Sequence, residues 1–355
     1  MNKAVEEATI PTGSGTLKIR ADRINEEELL AAFPSAGIYH SPRWARVVLD
    51  AYGLNVLSLT AVRDGTTVGF LQLVLQKSLF WGKRLTSLPW FDASGILAVD
   101  DDVRKALLES ASQLRNENRA KHVEIRQNEE LPLDLPQRED KVTMLMDLPP
   151  DSQTLLKDFR YKTRNRVRKS LKQKMEFASG TDELLDEFYA IYFHTMRQLN
   201  SPPHSKRFFR CIIEHFPDES RLYVVRIAGR AVAAGFTLRD RRGAHVPWSG
   251  SDRRGDKKRL GNVRLYWGML ADACEDGMRS FDFGRSTRES GTWQFKKQWG
   301  AHEVPLHWYF ILPDGQQLPE LKPDAGMYRT LSKLWGRMPA CMIRRLGPRI
   351  ISRLA

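Results

Sequence analysis

A short segment towards the C-terminus gathers residue types that could bind a phosphate or stabilise a developing oxyanion. It runs from Phe281 to Gly300 and reads FDFGRSTRESGTWQFKKQWG. Asp282 could orient a substrate or accept a proton, Arg285 could bind an acceptor or a phosphate, and Lys296 could stabilise a developing oxyanion. Taken alone, a lysine that lies over aromatic core residues is more often an ordinary surface lysine than a catalytic one. The combination of Asp, Arg, Ser and Lys in one short segment is what favours a functional site.

The element that positions this segment is a predicted strand, RSFDF, which we expect to end at Gly284. Arg285, Ser286 and Thr287 then follow in a polar turn. In open α/β sheets, ligands bind beyond the carboxyl ends of the strands. We therefore expect Arg285 and Ser286 to bind substrate close to Lys296.

Further candidates lie at other predicted strand ends and loops. Trp248 and Ser249 lie near the end of the strand HVPWSGS. Both are expected to face the region of the Phe281–Gly300 segment, where they would line an acceptor site. Asp92, in the loop SLPWFDASGIL, occupies the corresponding place in the first half of the chain, although a tight turn explains it equally well. His204, beside two prolines, could act as a general base. A loop histidine without an identified partner is more often structural.

The positive charge of the chain is concentrated in three segments. The net charge is +13, and residues 157–174 hold nine Lys or Arg against one Asp. Residues 252–264 hold six against two, and residues 325–355 hold seven against none. Clustered positive charge favours polyanions such as phosphates, nucleic acid or anionic lipid. A helix over the first of these segments could bind RNA, but no stacking motif accompanies it, and a solvated helical face explains it as well.

The order of predicted elements indicates two α/β domains. Each half shows two helices, a hairpin, a helix and a strand, and Asp64-Gly65 predicts the tight turn of the first hairpin. We expect a helix over Asp101–Asn118 in the first half and a basic helix over Ser152–Lys174 in the second. We expect domains over residues 1–150 and 151–318, each a mixed sheet flanked by helices. A basic amphipathic tail over residues 319–355 follows. It could lie on an anionic membrane or cover the core as a helix pair.

Several classes of protein are disfavoured by composition. No apolar run reaches the ~20 residues that a spanning helix needs. The first residues lack the apolar region of a signal peptide. The three cysteines are scattered without CxxC spacing, so we expect neither disulfides nor a zinc site. This use of cysteine fits a reducing cytoplasm, where we expect the protein to be located.

The segment from Phe281 resembles the C-terminal motif of the FemAB-like branch of the GNAT acyltransferase superfamily. It is most similar to the FemAB-related proteins associated with exosortase (PEP-CTERM) and exopolysaccharide systems. The resemblance covers nearly the whole chain. It also includes the stretches YHSPRWARVV, SLPWFDASGIL, YKTRNRVRKSLKQK, GNVRLYWGML and MYRTLSKLWGRMP.

This resemblance implies two tandem GNAT-like domains and a site centred on Lys296. Phe295, Trp299 and Gly300 complete the pattern of the transferase lysine, and we expect Phe295 and Trp299 to lie beside Lys296 and bind substrate. Fem transferases move an amino acid from aminoacyl-tRNA to the stem peptide of a cell-wall precursor, and relatives use coenzyme A thioesters. This chain lacks the coiled-coil insertion of the staphylococcal Fem proteins, which weakens the case for tRNA.

The loop RRGDKKRLGN bears on the donor. Lys257, Lys258 and Arg259 could contact a phosphate, and Asn262 could cap the helix that follows. The glycine spacing does not match the pyrophosphate loop of typical GNAT acetyltransferases. A plain basic loop before a capped helix is therefore the simpler interpretation, and a coenzyme A donor is weakened without being excluded.

The sequence and the resemblance together predict an N-acyl or aminoacyl transferase of the bacterial cell envelope or of exopolysaccharide biogenesis. It would hold no permanent cofactor, and its donor would be a coenzyme A thioester or an aminoacyl-tRNA. We expect it in the cytoplasm or at the inner face of the membrane. The alternative is a non-catalytic GNAT-fold protein that binds polyanions or a membrane surface.

Overall fold

A computed structural model of the protein describes residues 8–12, 15–21, 24–78, 82–252, 260–318 and 335–354. The strands are β1 (Ala8–Thr12), β2 (Gly15–Arg20), β3 (Val56–Arg63), β4 (Thr66–Ser78), β5 (Gly82–Thr86), β6 (Leu97–Ala98), β7 (Val123–Gln127), β8 (Gln137–Arg138), β9 (Lys141–Asp147), β10 (Glu176–Gly180), β11 (Ser220–Ile227), β12 (Arg230–Arg239), β13 (Ala244–Ser251), β14 (Ser280–Thr287), β15 (His302–Pro305) and β16 (His307–Ile311). The helices are α1 (Glu26–Ala32), α2 (Trp44–Tyr52), α3 (Asp101–Asn118), α4 (Ser152–Asp158), α5 (Tyr161–Leu171), α6 (Leu185–Gln198), α7 (Lys206–His215), α8 (Leu260–Glu275), α9 (Gly291–Gln298) and α10 (Ala340–Ile351).

The described chain forms two compact units, each built on a mixed sheet flanked by helices, as predicted. The first unit holds the described residues up to Glu139, residues 305–318 and residues 352–354. The second holds Asp140–Val304 and residues 335–351. The division differs from the predicted boundaries at residues 150 and 318. The reason is strand pairing: β9 pairs with β14, and β16 pairs with β7.

The sheet of the first unit has the strand order β1-β2-β3-β4-β5-β7-β16-β8, and β6 pairs with β4. Asp64 and Gly65 join β3 to β4 with φ angles of +51° and +81°, the left-handed backbone that a tight hairpin turn requires. The predicted hairpin is therefore confirmed. Helix α3 has the predicted bounds, and Asp100 caps it by accepting a hydrogen bond from Val103 N at 2.9 Å.

The sheet of the second unit has the strand order β10-β11-β12-β13-β14-β9-β15. The pair β13–β14 is parallel, and β9 pairs antiparallel with β14 on its other side. Trp248 of β13 packs against Phe209 of α7, whereas its neighbour Ser249 contacts Tyr266 of α8. Since successive side chains of a strand point to opposite faces, α7 and α8 cover opposite faces of this sheet.

The predicted basic helix over residues 152–174 is in fact two helices, α4 and α5. The backbone is extended at Phe159 and Arg160, with ψ angles of 141° and 145°. Phe159 is buried and meets the rings of Trp267 and Trp299 edge to face. The break thus brings a large apolar side chain into the core, where its burial contributes roughly 1.5–3 kcal/mol.

Residues 335–351 of the tail belong to the second unit. Ile343 of α10 is fully buried, and Gly347 lies against Pro203. The guanidinium of Arg344 lies 4.8 Å from the centre of the Phe193 ring of α6. This half of the amphipathic tail covers the core with its apolar face. Among the described helices, none has the length and apolar character needed to cross a membrane.

Candidate functional site

The strands β13 and β14 run in the same direction but pair over only two residues each. Ala244 pairs with Phe281, and His245 pairs with Asp282. Within the described part of the chain, no further pairing joins these two strands. Their C-terminal halves therefore border a gap in strand pairing in the middle of the sheet, at the carboxyl ends of the strands, where open α/β sheets bind ligands.

The strand β14 does not end at Gly284, contrary to the predicted polar turn. It continues to Thr287, and its pairing with β9 is irregular, since Asp282 faces Leu145 while Arg285 faces Thr143. The extra residue forms a bulge, and Gly284 takes a φ of +76° that glycine adopts without strain. The predicted turn residues thus lie on a bent strand.

Helix α9 holds Lys296 against this bulge. Its side-chain Nζ donates hydrogen bonds to the carbonyl oxygens of Gly284 at 2.7 Å and Arg285 at 2.9 Å. The residue is 7% exposed, so a positive charge is buried beside β14. Ser290 begins the helix as its cap and accepts a hydrogen bond from Trp293 N at 3.3 Å. The structure therefore brings Lys296 to the strand that carries Asp282, as the sequence predicted.

Phe295 and Trp299 have a different position from the one predicted. Their rings lie 5.0 Å and 6.1 Å from the ring of Tyr266, and Trp299 is 3% exposed. They fix α9 to the core of the second unit. A substrate-binding role for Trp299 is therefore corrected to a packing role, and Phe295 is a partly buried member of the same core.

Asp282 is held rigidly by three neighbours. Its Oδ1 accepts hydrogen bonds from Thr143 Oγ1 at 2.5 Å and from Gly284 N at 2.7 Å. Its Oδ2 lies 3.6 Å from His245 Nδ1. Burial alone would raise the pKa of Asp282, but His245 and these hydrogen bonds outweigh it and lower the pKa below its usual value. Asp282 is thus suited to orienting β14 and poorly suited to accepting a proton.

His245 is a charged partner that sequence analysis missed. It lies between Asp282 and Asp240, whose Oδ2 is 3.3 Å from its Nε2. Burial disfavours the imidazolium, but the two carboxylates outweigh burial and raise the pKa of His245 to about 9. No local pattern in the sequence pairs His245 with Asp282, because that contact depends on the register between two strands that are distant in the chain.

Trp248 and Ser249 do not face the same region, because they are consecutive residues of one strand. Trp248 belongs to an aromatic cluster of α7 and β12. His204 also belongs to this cluster, since it stacks on Phe208 at 4.3 Å. Burial lowers the pKa of His204 to about 3, so this histidine is neutral and structural. Ser249 Oγ lies 2.8 Å from the Tyr266 hydroxyl, on the face covered by α8.

The remaining candidates of the second unit are dispersed. Arg285 has an exposed side chain, whereas Ser286 is 3% exposed and its Oγ has no hydrogen-bond partner among the described residues. Helix α8 begins at Leu260, so Asn262 lies in its first turn and does not occupy the predicted cap position. The predicted phosphate-binding residues Lys257, Lys258 and Arg259 lie outside the described residues.

Asp92 lies in the first unit, in a loop that is firmly anchored. Arg126, which is 2% exposed, donates to the carbonyl oxygens of Pro89 and, at 3.0 Å, Phe91. Asp92 itself is half-buried. The loop therefore has a structural explanation that needs no ligand. Across the described ranges, no cluster of His, Cys, Asp or Glu side chains is arranged to hold a metal ion.

Comparison with known proteins identifies the fold. Residues 157–297 match the family described as acetyltransferase (GNAT) domain. The crystal structure of FemX superposes with a TM-score of 0.64 at 14% identity, over 88% of this chain and 99% of that chain. The structure of L-PGS from Bacillus licheniformis superposes with a TM-score of 0.55 at 12% identity, over 90% of this chain and 99% of that chain. A tandem GNAT protein from the clavulanic acid biosynthesis pathway superposes with a TM-score of 0.52 at 11% identity, over 85% of this chain and 100% of that chain.

No curated protein matches the sequence significantly. At these identities the solved structures establish the fold alone. They confirm the predicted fold, a pair of GNAT-like domains.

Proposed function

We propose that this chain, whose residues 157–297 form a GNAT acetyltransferase domain, transfers an acyl or aminoacyl group from an activated donor to an amine. The observation that carries the proposal is the opening where β13 and β14 cease to pair, beside the buried charge of Lys296. An extended donor can lie along a strand edge by forming main-chain hydrogen bonds. Its carbonyl would then lie close to β14.

The chemistry follows from the charges at this place. The amine nitrogen attacks the donor carbonyl, a C–N bond forms, and the C–S or C–O bond to the leaving group breaks. Negative charge develops on the carbonyl oxygen during the attack, and the ammonium of Lys296 would stabilise it in a site shielded from water. Asp282, fixed by His245 and Thr143, keeps β14 in the geometry that Lys296 requires.

A phosphate-rich donor fits the basic surface of the second unit. Lys162, Arg168 and Lys169 of α5 are exposed, and Tyr161 beside them is 73% exposed. Coenzyme A thioesters and aminoacyl-tRNA both carry phosphates that such a surface would attract. We propose one of these two as donor and an amine of a cell-envelope or exopolysaccharide precursor as acceptor.

A second candidate function rests on α10. Arg344, Arg345 and Arg349 are exposed on a helix whose apolar face is packed. This charge would favour a peripheral contact with anionic lipid at the inner face of the membrane, with or without catalysis. Flotation with vesicles containing phosphatidylglycerol, compared with neutral vesicles, tests it. Equal flotation of wild type and a variant with all three arginines changed to glutamine would exclude it.

The test of transfer uses radiolabelled acetyl-CoA and alanyl-tRNA as donors and a lysine-containing cell-wall precursor as acceptor. Lys296→Met keeps an unbranched side chain that is one atom shorter and removes its charge, and it should lower the rate of transfer roughly 10²-fold. The control is Lys297→Met, because Lys297 lies over the ring of Trp293 at 4.3 Å and does not approach β14 through a described contact. A folded Lys296→Met variant with the wild-type rate would remove Lys296 from the site. No transfer by the wild type from either donor would refute the proposed function.

A further inference from the structure

The sheet of the first unit has one apolar face and one charged face. Leu85 of β5 and Ile125 of β7 pack in the core that α3 covers. Successive side chains of a strand point to opposite faces, so Arg84, Glu124 and Arg126 lie on the other face. Charged side chains are seldom buried on a sheet face, yet Glu124 is 7% exposed and Arg126 is 2% exposed. The proposed transfer site belongs to the second unit, so it does not explain this face.

A third arginine reaches the same face from the edge of the sheet. Arg138 of β8 lies directly opposite Trp308 of β16, and Trp308 lies directly opposite Arg126 of β7. Residues that are directly opposite in a sheet share a face. The guanidinium of Arg138 lies 5.2 Å from the centre of the Phe310 ring, and that of Arg126 lies 4.2 Å from the centre of the Trp308 ring. Three arginines therefore lie on one face of this sheet.

The acidic residues that the structure describes do not balance these arginines. Glu124 accepts a hydrogen bond from Arg126 Nε at 2.7 Å, which pairs one of the three guanidinium groups. Burial alone would raise the pKa of Glu124, but Arg126 outweighs burial and lowers the pKa, so this carboxylate is ionised. Among the described residues, no carboxylate lies within ion-pair distance of Arg84 or Arg138. The face therefore carries two net positive charges.

His122 lies in the sheet between Arg84 and Arg138 and adds no charge. Its carbonyl oxygen accepts a hydrogen bond from Leu85 N at 3.1 Å, next to Arg84, and its ring centre lies 5.8 Å from that of Phe310. Burial, helped by the two arginines, lowers the pKa of His122 to about 4. Burial also lowers the pKa of Arg84 to about 10, which leaves it charged at neutral pH. The imidazole is thus a neutral hydrogen-bonding group between two guanidinium ions.

Residues 352–354 hold Arg84 in place without neutralising it. Its Nη2 donates to the carbonyl oxygen of Arg353 at 3.0 Å, and its Nε donates to Gln76 Oε1 at 3.1 Å. Gln76 is 1% exposed and donates in turn to the carbonyl oxygen of Ser352 at 2.9 Å. All of these partners are neutral. The guanidinium of Arg84 is therefore fixed in direction before a ligand arrives, which lowers the entropic cost of binding one.

We propose that this face of the first unit binds the diphosphate group of a small molecule, with Arg84 and Arg138 holding its oxygens on either side of His122. Guanidinium groups present paired N–H donors that match phosphate oxygens, and two net positive charges match a dianion. The strands β5 and β8 are three strand spacings apart, or about 14 Å. Arg138 shortens this span by reaching over Phe310 of the next strand. A diphosphate therefore bridges the two guanidinium groups better than a single phosphate does.

The experiment is calorimetric titration of the full chain at pH 7 and constant ionic strength, with inorganic phosphate, inorganic pyrophosphate and ADP as probes. The wild type should bind pyrophosphate and ADP more tightly than phosphate. Arg84→Gln and Arg138→Gln should each raise the Kd for pyrophosphate roughly 10-fold or more. Arg168→Gln is the matched control, because it removes an exposed arginine from α5 of the second unit, and it should bind as the wild type does.

Arg84→Lys keeps the test decisive if Arg84→Gln does not fold, since it retains the charge and removes the paired donors. It should also weaken the binding of pyrophosphate. An unchanged Kd in folded Arg84→Lys and Arg138→Gln would overturn the proposal, as would a wild type that binds no probe or a loss of binding in Arg168→Gln alone. Tighter binding of ADP than of pyrophosphate would support a nucleotide as the source of the diphosphate. No transfer is measured, so failure here leaves the proposed function in place.

Discussion

The ion pair between His245 and Asp282 predicts a loss of stability at high pH. The imidazole has an ordinary pKa of 6.5, and its two carboxylate neighbours raise this to about 9 in the folded protein. Below pH 6.5 the histidine is charged in both the folded and unfolded chain, so the stabilisation is fully present. It is lost as the pH rises through about 9, because the folded protein then gives up the proton. At about 1.4 kcal/mol for each pH unit, the contribution is about 3 kcal/mol.

The assay is urea unfolding of wild type and His245→Gln at a series of pH values from 6 to 10. The difference in unfolding free energy should be about 3 kcal/mol at pH 6 and should shrink steadily above pH 7. The transition must be followed with a probe in the second unit, because two units need not unfold together. His302→Gln is the control, and its difference from wild type should not depend on pH. A difference for His245→Gln that stays constant from pH 6 to pH 10 would refute the assigned charge state.

Two further substitutions test how the site is positioned. Gly250→Ala should lower the free energy of unfolding by about 1–3 kcal/mol and displace α6, because the new methyl group meets Thr195. Thermal unfolding measures this loss. Gly291→Ala, whose new methyl group would meet no atom, is the neutral control. Ser290→Ala should lower the free energy of unfolding by about 1 kcal/mol, because it removes the N-terminal cap of α9. It should lower the rate of transfer less than Lys296→Met does. Unchanged unfolding of Gly250→Ala, or a transfer defect in Ser290→Ala equal to that of Lys296→Met, would contradict this account.

Elements with strong local signals were predictable from the sequence. The bounds of α3 and the hairpin at Asp64-Gly65 depend on a capping aspartate, a helical repeat and a turn dipeptide, all of which act over a few residues. The break between α4 and α5 was not predictable, because no Gly or Pro interrupts residues 152–174 and it is the packing of Phe159 into the core that ends the first helix. Tertiary packing decides where local propensity is weak.

The candidate site was predictable only in part, for the same reason. Lys296 and Asp282 lie fourteen positions apart in one short segment, and the structure holds Lys296 against the strand that carries Asp282. The partner His245 belongs to another strand, and only the register of β13 against β14 brings it to Asp282. The bulge at Gly284 was also missed, because a glycine at the end of an apolar strand usually signals a turn.

The return of β16 to the first sheet has a consequence for biosynthesis. A ribosome makes the chain from its N-terminus, so β7 is complete long before its neighbour β16 has been made. Until then β7 presents an unpaired edge, which is prone to pairing with other chains. The first unit therefore cannot close before the second has been synthesised. A fragment that stops at residue 150 should be recovered as aggregates, whereas co-expression with the remainder of the chain should rescue it.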